Sequence, residues 1–230
     1  MKQVYAFAIL HGEKVDNPAD DVKAASIATF VPKDRALSPA EIRLAFRQLE
    51  SIATYPTIRL ALRVVLLTLV RKSELIEATW SEIDFENATW TIPKERMKGR
   101  NPHVVYLSSQ VLDIFVALHT CAAGSKFVLP SRYDADRCMS HATLNRVTQI
   151  IAERAKIAGL PLEPFTVHDL RHEEGGRSSR SVYNKAEYAE QRRHMLQEWA
   201  SMVDAWIDGQ TYVPKLMPEN VVVPVLSAVV

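Results

Sequence analysis

Between His168 and Asn184 the chain reads H-D-L-R-H-E-E-G-G-R-S-S-R-S-V-Y-N, seventeen positions that hold two histidines, three arginines and a tyrosine. Guanidinium groups stay charged and present paired donors that match phosphate oxygens, an imidazole moves protons near neutrality, and a tyrosine hydroxyl can act as a nucleophile. These types together suit the gripping and attack of a phosphate ester. His168 and Arg171, three apart, can share one helical face. Upstream, Arg71 follows an apolar segment in L-T-L-V-R-K-S-E-L with Glu74 three residues on, and Lys98 lies in the basic run K-E-R-M-K-G-R-N-P-H.

Each of these residues also has a plainer reading. Arg71 suits the C-terminus of a helix, where the dipole favours a cation. Lys98 suits a solvated hairpin tip, His168 and Arg171 a capped, solvated pair, and Tyr183 a core or interface tyrosine. Singly, the plain reading is the better one for each. Their order along the chain is what alters the balance.

The elements that must position them are legible in outline. V-Y-A-F-A-I-L reads as the end of a helix followed by a turn, with Pro18 a helix boundary. Ser38 precedes Pro39 and stands three before Glu41, a capping box with proline at the first helical position. A helix follows to about Ala53, then a very apolar helix from about Pro56 to Val70 that should be buried. Ile76 to Pro93 alternates and is rich in Trp, Ile, Phe and Thr, which predicts a strand, an Asn87-centred turn and a second strand. Residues 103–107 predict a third strand. Helices are expected over 109–120, over 140–158 with Ser140 as cap and Gly159 as stop, and over 187–208 ending at Gly209. The class is mainly α with a small antiparallel three-stranded sheet.

With 230 residues and 47% apolar content, the chain can form one substantial domain, or one domain and a fragment of another. Two cysteines are too few for a disulfide framework or a zinc ribbon and suit a reducing cytoplasm. No run is long and apolar enough for a bilayer span, because the apolar stretch from Leu60 to Val70 is broken by Arg63. A cytoplasmic location without membrane partners is expected. A net charge of +1 does not by itself suggest nucleic acid.

Taken in order, R-K-S-E-L-I-E-A-T-W-S-E-I-D-F, W-T-I-P-K-E-R-M-K-G-R-N-P-H-V-V-Y-L-S, F-T-V-H-D-L-R and V-Y-N-K-A-E-Y-A-E-Q-R-R-H-M-L-Q-E-W resemble the catalytic domain of tyrosine recombinases, and more narrowly the integrases of temperate phages and genomic islands. The resemblance covers roughly Ser38 to Gly209. It implies that the family's two arginines fall on Arg71 and Arg171, its strand-turn lysine on Lys98, its H-x-L-R histidine on His168 and its nucleophile on Tyr183, with Glu74 bracing the first arginine and Tyr188 serving packing. It implies cleavage and religation of double-stranded DNA through a 3′-phosphotyrosyl link, with no cofactor and no metal. Partners would be DNA attachment sites and other integrase protomers, which in the intact family form a tetramer on DNA.

Two departures qualify the resemblance. Residues 1–37 look like the last helix of a core-binding domain plus a linker, followed by the catalytic domain over 38–209 and a tail over 210–230. Family members also place roughly two helices, on the order of 20 residues or more at typical lengths, between H-x-L-R and a late histidine. Here H-E-E-G-G-R-S-S-R follows Arg171 directly, so His172 is either the residue after H-D-L-R or the late catalytic histidine brought forward by an internal deletion. The later block matches the second reading better. Twelve peptide steps reach about 40 Å when extended, so Tyr183 can still reach the arginines, while catalytic placement is sensitive to about an ångström. An impaired remnant that only binds DNA or other protomers is therefore the alternative. A third reading is a small helical interaction protein that docks its apolar tail, Val221 to Val230, on a partner.

Overall fold

A computed structural model describes residues 2–13, 35–97, 101–171 and 189–215. The chain divides into two units, Met1–Asp34 and Arg35–Val230. In the first, α1 (Lys2–Leu10) is the helix expected from its apolar run, followed by a turn in which Gly12 takes φ +88°.

The larger unit begins at the capping box. The Ser38 hydroxyl accepts the Glu41 N–H at 3.3 Å while the Glu41 carboxylate accepts the Ser38 N–H at 3.0 Å, so two donors left over at the helix start are satisfied reciprocally. The helix they open, α2 (Pro39–Ser51), buries Ile42, Ala45, Phe46 and Leu49 at helical spacing. The next, α3 (Pro56–Thr68), also starts on proline and buries every residue from Val64 to Thr68, which makes it the central helix of the unit. It stops at Leu69, whose φ of 56° is left-handed. Glycine is the usual residue there, and a leucine so placed costs roughly 1–2 kcal/mol. The chain then runs extended through Arg71 into the short α4 (Lys72–Ile76).

The sheet is three-stranded and antiparallel in the order β1 (Ile83–Asp84), β2 (Thr89–Ile92), β3 (His103–Tyr106). Trp90 opposes Ile83 on one side and Val105 on the other. The first strand is much shorter than its alternating sequence predicts. Ile76 belongs to α4, Thr79 bridges to Phe127, and Trp80–Glu82 forms a 3-10 turn whose first N–H donates to the Lys126 carbonyl at 3.0 Å. Contacts from a segment more than forty positions away override the local strand preference. The Asn87 turn forms as expected: the Asp84 carboxylate accepts the Asn87 backbone N–H at 2.9 Å and its side-chain amide at 2.7 Å, and Ala88 takes φ 50°. Those donors hold the Asp84 carboxyl below the usual carboxylate range.

Trp90 and Ile92 face inward, with Trp90 edge-on to Phe115 of α5 (Ser109–Cys121) at 5.9 Å. Ser140 caps α6 (His141–Ile157), and Gly159 stops it at φ 66° with the Leu160 N–H returning to the Ala155 carbonyl. Asp169–Arg171 forms a 3-10 turn. The last helix, α7 (Ala189–Asp208), buries Leu196, Ala200 and Val203 along one stripe and packs on α2, α3 and β3. Gly209 ends it at φ 76°, with the Gln210 N–H closing on the Ala205 carbonyl. Among the described residues no helix is long and apolar enough to cross a membrane.

Candidate active site

Arg71 sits where two helices meet. The left-handed Leu69 turns the chain out of α3, Val70 is buried, and Arg71 occupies the N-cap of α4 rather than the C-terminus of a helix. A cation at a helix N-terminus opposes the dipole, so its position needs an acidic partner. Glu74 is that partner. Its carboxylate accepts the Arg71 backbone N–H at 2.7 Å and the Arg71 Nη1 at 3.3 Å. The Glu74 side chain is 3% exposed and that of Arg71 42%, so the acid is buried and part of the guanidinium fork faces solvent.

Arg96 lies in the basic run expected to be a solvated hairpin tip, yet its guanidinium is turned inward. Nη1 pairs with the Glu82 carboxylate, Nη2 donates to the backbone carbonyl of Glu74, and Nε lies 3.8 Å from the Glu77 carboxylate. The second Glu82 oxygen accepts the indole N–H of buried Trp90 at 3.0 Å, and the Thr79 hydroxyl also donates to Glu82. Glu77 in turn meets His141, at the start of α6, at 3.3 Å. No sequence signal separates Arg96 from its exposed neighbours, because the carboxylate and the backbone carbonyl that hold it come from 14 and 22 positions away.

The H-D-L-R segment is fixed by its apolar members. Val167 and Leu170 are buried in the main core, and the Asp169–Arg171 turn packs against α3. The Asp169 carboxylate accepts the Thr166 N–H at 2.7 Å, which closes the turn. His168 lies exposed between the two anchors, one position before the turn. The helix that leads into Arg71 therefore also carries the H-D-L-R turn. For Arg171 only the backbone is described. Lys98, His172, Tyr183 and the second tyrosine, Tyr188, lie outside the described residues.

Downstream of the tyrosine, α7 is tied to the sheet by two adjacent arginines. Arg192, 7% exposed, donates from Nη2 to the Val104 carbonyl at 2.9 Å and stacks on the Tyr106 ring at 5.1 Å. Arg193 donates to the Asn87 carbonyl at 2.9 Å and covers the same ring at 4.9 Å. Arg192 does carry a signal in the sequence: it stands four before Leu196, on the stripe that continues to Ala200 and Val203. The other end of α7 is held by Trp199, whose indole donates to the Leu66 carbonyl at 2.8 Å, and by an ion pair between Arg63 and Asp204. Near the end of the described chain, the Lys215 N–H and the Tyr212 hydroxyl both donate to the Glu198 carboxylate, which holds its carboxyl below the usual range and pushes the Tyr212 hydroxyl up. Among the described residues no cluster of three or more His, Cys, Asp or Glu side chains could hold a metal ion.

A sequence profile of the phage integrase family matches residues 35–195. The prophage integrase IntZ of Escherichia coli (strain K12) is 30% identical over 222 residues, covering 90% of this chain and 54% of IntZ. The integrase of Shigella phage Sf6 is 32% identical over 220 residues, covering 88% of this chain and 56% of its own. The chain thus spans about half the length of the curated relatives it matches. Among solved structures, the Tn1549 transposon integrase in complex with circular intermediate DNA superposes with a TM-score of 0.58 at 16% identity, over 83% of this chain and 71% of that one. At that identity the likeness speaks to the fold.

Proposed function

Because the chain belongs to the phage integrase family, we propose that it is a tyrosine-type site-specific recombinase domain that cleaves and rejoins double-stranded DNA. The observation that carries this reading is the packing of the Arg71 corner and the H-D-L-R turn on one helix, α3. Two guanidinium groups, of Arg71 and Arg171, hold the non-bridging oxygens of one phosphodiester and stay charged as charge builds on them in the transition state. The Tyr183 hydroxyl attacks phosphorus, so that the Tyr183 Oη–P bond forms as the P–O5′ bond breaks. The tyrosine proton passes to a histidine, His168 or His172, and Lys98 supplies a proton to the departing 5′ oxygen. Religation runs the same steps backwards, and the phosphotyrosyl bond conserves the energy of the one cleaved.

The division that goes with this reading places the catalytic domain at 38–209. Residues 1–37 are then the end of a preceding core-binding domain with its linker, and 210–230 a tail. The protein would act in the cytoplasm, on attachment sites, together with further integrase protomers. One specific feature favours a second reading, a domain that binds DNA or protomers without cleaving: only eleven residues separate Arg171 from Tyr183.

The test is a pool of nicked duplexes of randomised sequence, on which cleavage at the nick traps a covalent adduct that resists detergent. A native adduct that disappears in Tyr183→Phe supports the recombinase. DNA retention with no adduct supports the second reading, and an adduct that persists in Tyr183→Phe removes the nucleophile assignment.

A further inference from the structure

We infer that Arg96 is a positioning residue that fixes the Arg71 corner to the β2–β3 hairpin; the inference deepens the proposed function, since it rests on Arg71 gripping a phosphate. The reason begins with α4. Five residues are far too few for a helix to hold itself together, so the orientation of its N-cap depends on what its other backbone groups touch. In a longer helix the Glu74 carbonyl would accept from the Ala78 N–H, but that N–H goes to Leu75 instead. The Arg96 guanidinium takes its place at the Glu74 carbonyl. Glu74 is thereby held at both ends, its carbonyl by Arg96 and its carboxylate by the backbone and side chain of Arg71.

The other side of Arg96 is equally fixed. Its pairing with Glu82 is made rigid by the Trp90 indole on the second carboxylate oxygen, and Trp90 is fully buried on β2. Charges alternate along the path: Arg71, Glu74, Arg96, Glu82. Its Arg96 side chain is only 16% exposed, and that of Glu82 9%, so solvent screening is limited there. A hydrated lysine could neutralise Glu82, but it lacks the planar fork that reaches Glu82 and the Glu74 carbonyl together. In sequence Arg96 stands two positions before Lys98.

The experiment compares the full chain with Arg96→Met, Arg96→Lys, Arg71→Ala and the Arg96→Met/Arg71→Ala pair. Circular dichroism checks the fold of each, nitrogen-15 NMR reads the Arg71 side-chain Nε–H, and titration with a short DNA duplex reads binding. In the native chain the Arg71 signal should lie apart from those of solvated arginines. In folded Arg96→Met it should move to the solvated position, with duplex affinity falling about tenfold, as for loss of one charge-assisted contact. Arg96→Lys should restore the signal in part, and Arg96→Met should cost nothing further once Arg71 is alanine. An unmoved Arg71 signal in folded Arg96→Met overturns the inference, as does a binding loss of equal size in the Arg71→Ala background. Should Arg96→Met fail to fold, the Arg71 signal of Arg96→Lys decides in the same way. If Arg71→Ala binds the duplex as the native chain does, the phosphate-grip reading fails while the NMR comparison still decides what Arg96 does.

Discussion

The two neighbouring arginines on α7 allow a sharp comparison, because they share a ring and differ in burial. Arg192 is 7% exposed, donates to the Val104 carbonyl and stacks on Tyr106; the Arg193 side chain is 38% exposed and makes the same two kinds of contact. Truncating Arg192 to alanine removes a hydrogen bond from a charged donor, about 1.5–3 kcal/mol, and a desolvated cation–π contact of about 1–2 kcal/mol. It also leaves a strand carbonyl short of a partner. Since these terms overlap, a total of about 3 kcal/mol is expected. For Arg193, solvent screens both contacts and the expectation is under about 1 kcal/mol. At roughly 2–4 °C per kcal/mol for a unit of this size, Arg192→Ala should lower the melting temperature by about 6–12 °C, and Arg193→Ala by no more than a few degrees. Urea unfolding measures both, and amide hydrogen exchange over 189–208 reports whether α7 has loosened from β3. Because Tyr106 serves both side chains, the double variant should cost less than the two singles added. Equal losses at the two sites, or an undisturbed α7 in Arg192→Ala, would falsify the burial argument.

Three further outcomes are expected. Ser38→Ala should destabilise by about 1 kcal/mol through loss of the capping box, read as a lower urea midpoint with an unchanged slope. Ala88→Gly should stabilise by about 0.5–1 kcal/mol, since φ 50° is strained for alanine and free for glycine in a hairpin turn; a loss of stability on urea unfolding refutes that account. Because its donors hold the folded Glu198 carboxyl below its ordinary value, its contribution is complete above the ordinary glutamate range and lost as pH falls through the lowered value. Protection of the Lys215 amide, taken relative to its intrinsic exchange rate at each pH, should therefore fall on acidification in the native chain and be absent at every pH in Glu198→Ala.

What the sequence discloses here is what local chemistry decides. Ser38, Pro39 and Glu41 lie within four positions, and each does what its type and spacing predict. The Gly159 and Gly209 stops are equally local. Two of the failures arise at a distance. The strand expected from Ile76 is cut down by pairing with the segment around Phe127, and Arg96 looks solvated until Glu74 and Glu82 are brought to it. A third is local: Arg71 stands at the start of α4 rather than the end of α3 because the residue that turns the chain is a leucine in a glycine's conformation, which no propensity anticipates. Arg71 and His168 stand out from residue types and order as candidates for phosphate-ester chemistry. The ladder behind Arg71 does not.

The Asp169–Arg171 turn packs on α3, and α7 begins against β3 and the Asn87 turn, where Arg192 and Arg193 hold it. Both anchors are made by residues outside 172–188. Doubling the length of such a connection costs only about 0.6 kcal/mol in closure entropy, less than the Arg192 contacts alone supply. The site after Arg171 is therefore an insertion port: a graft of two helices there should be accepted by the existing scaffold, and whether it raises DNA cleavage measures how much catalytic alignment that stretch controls.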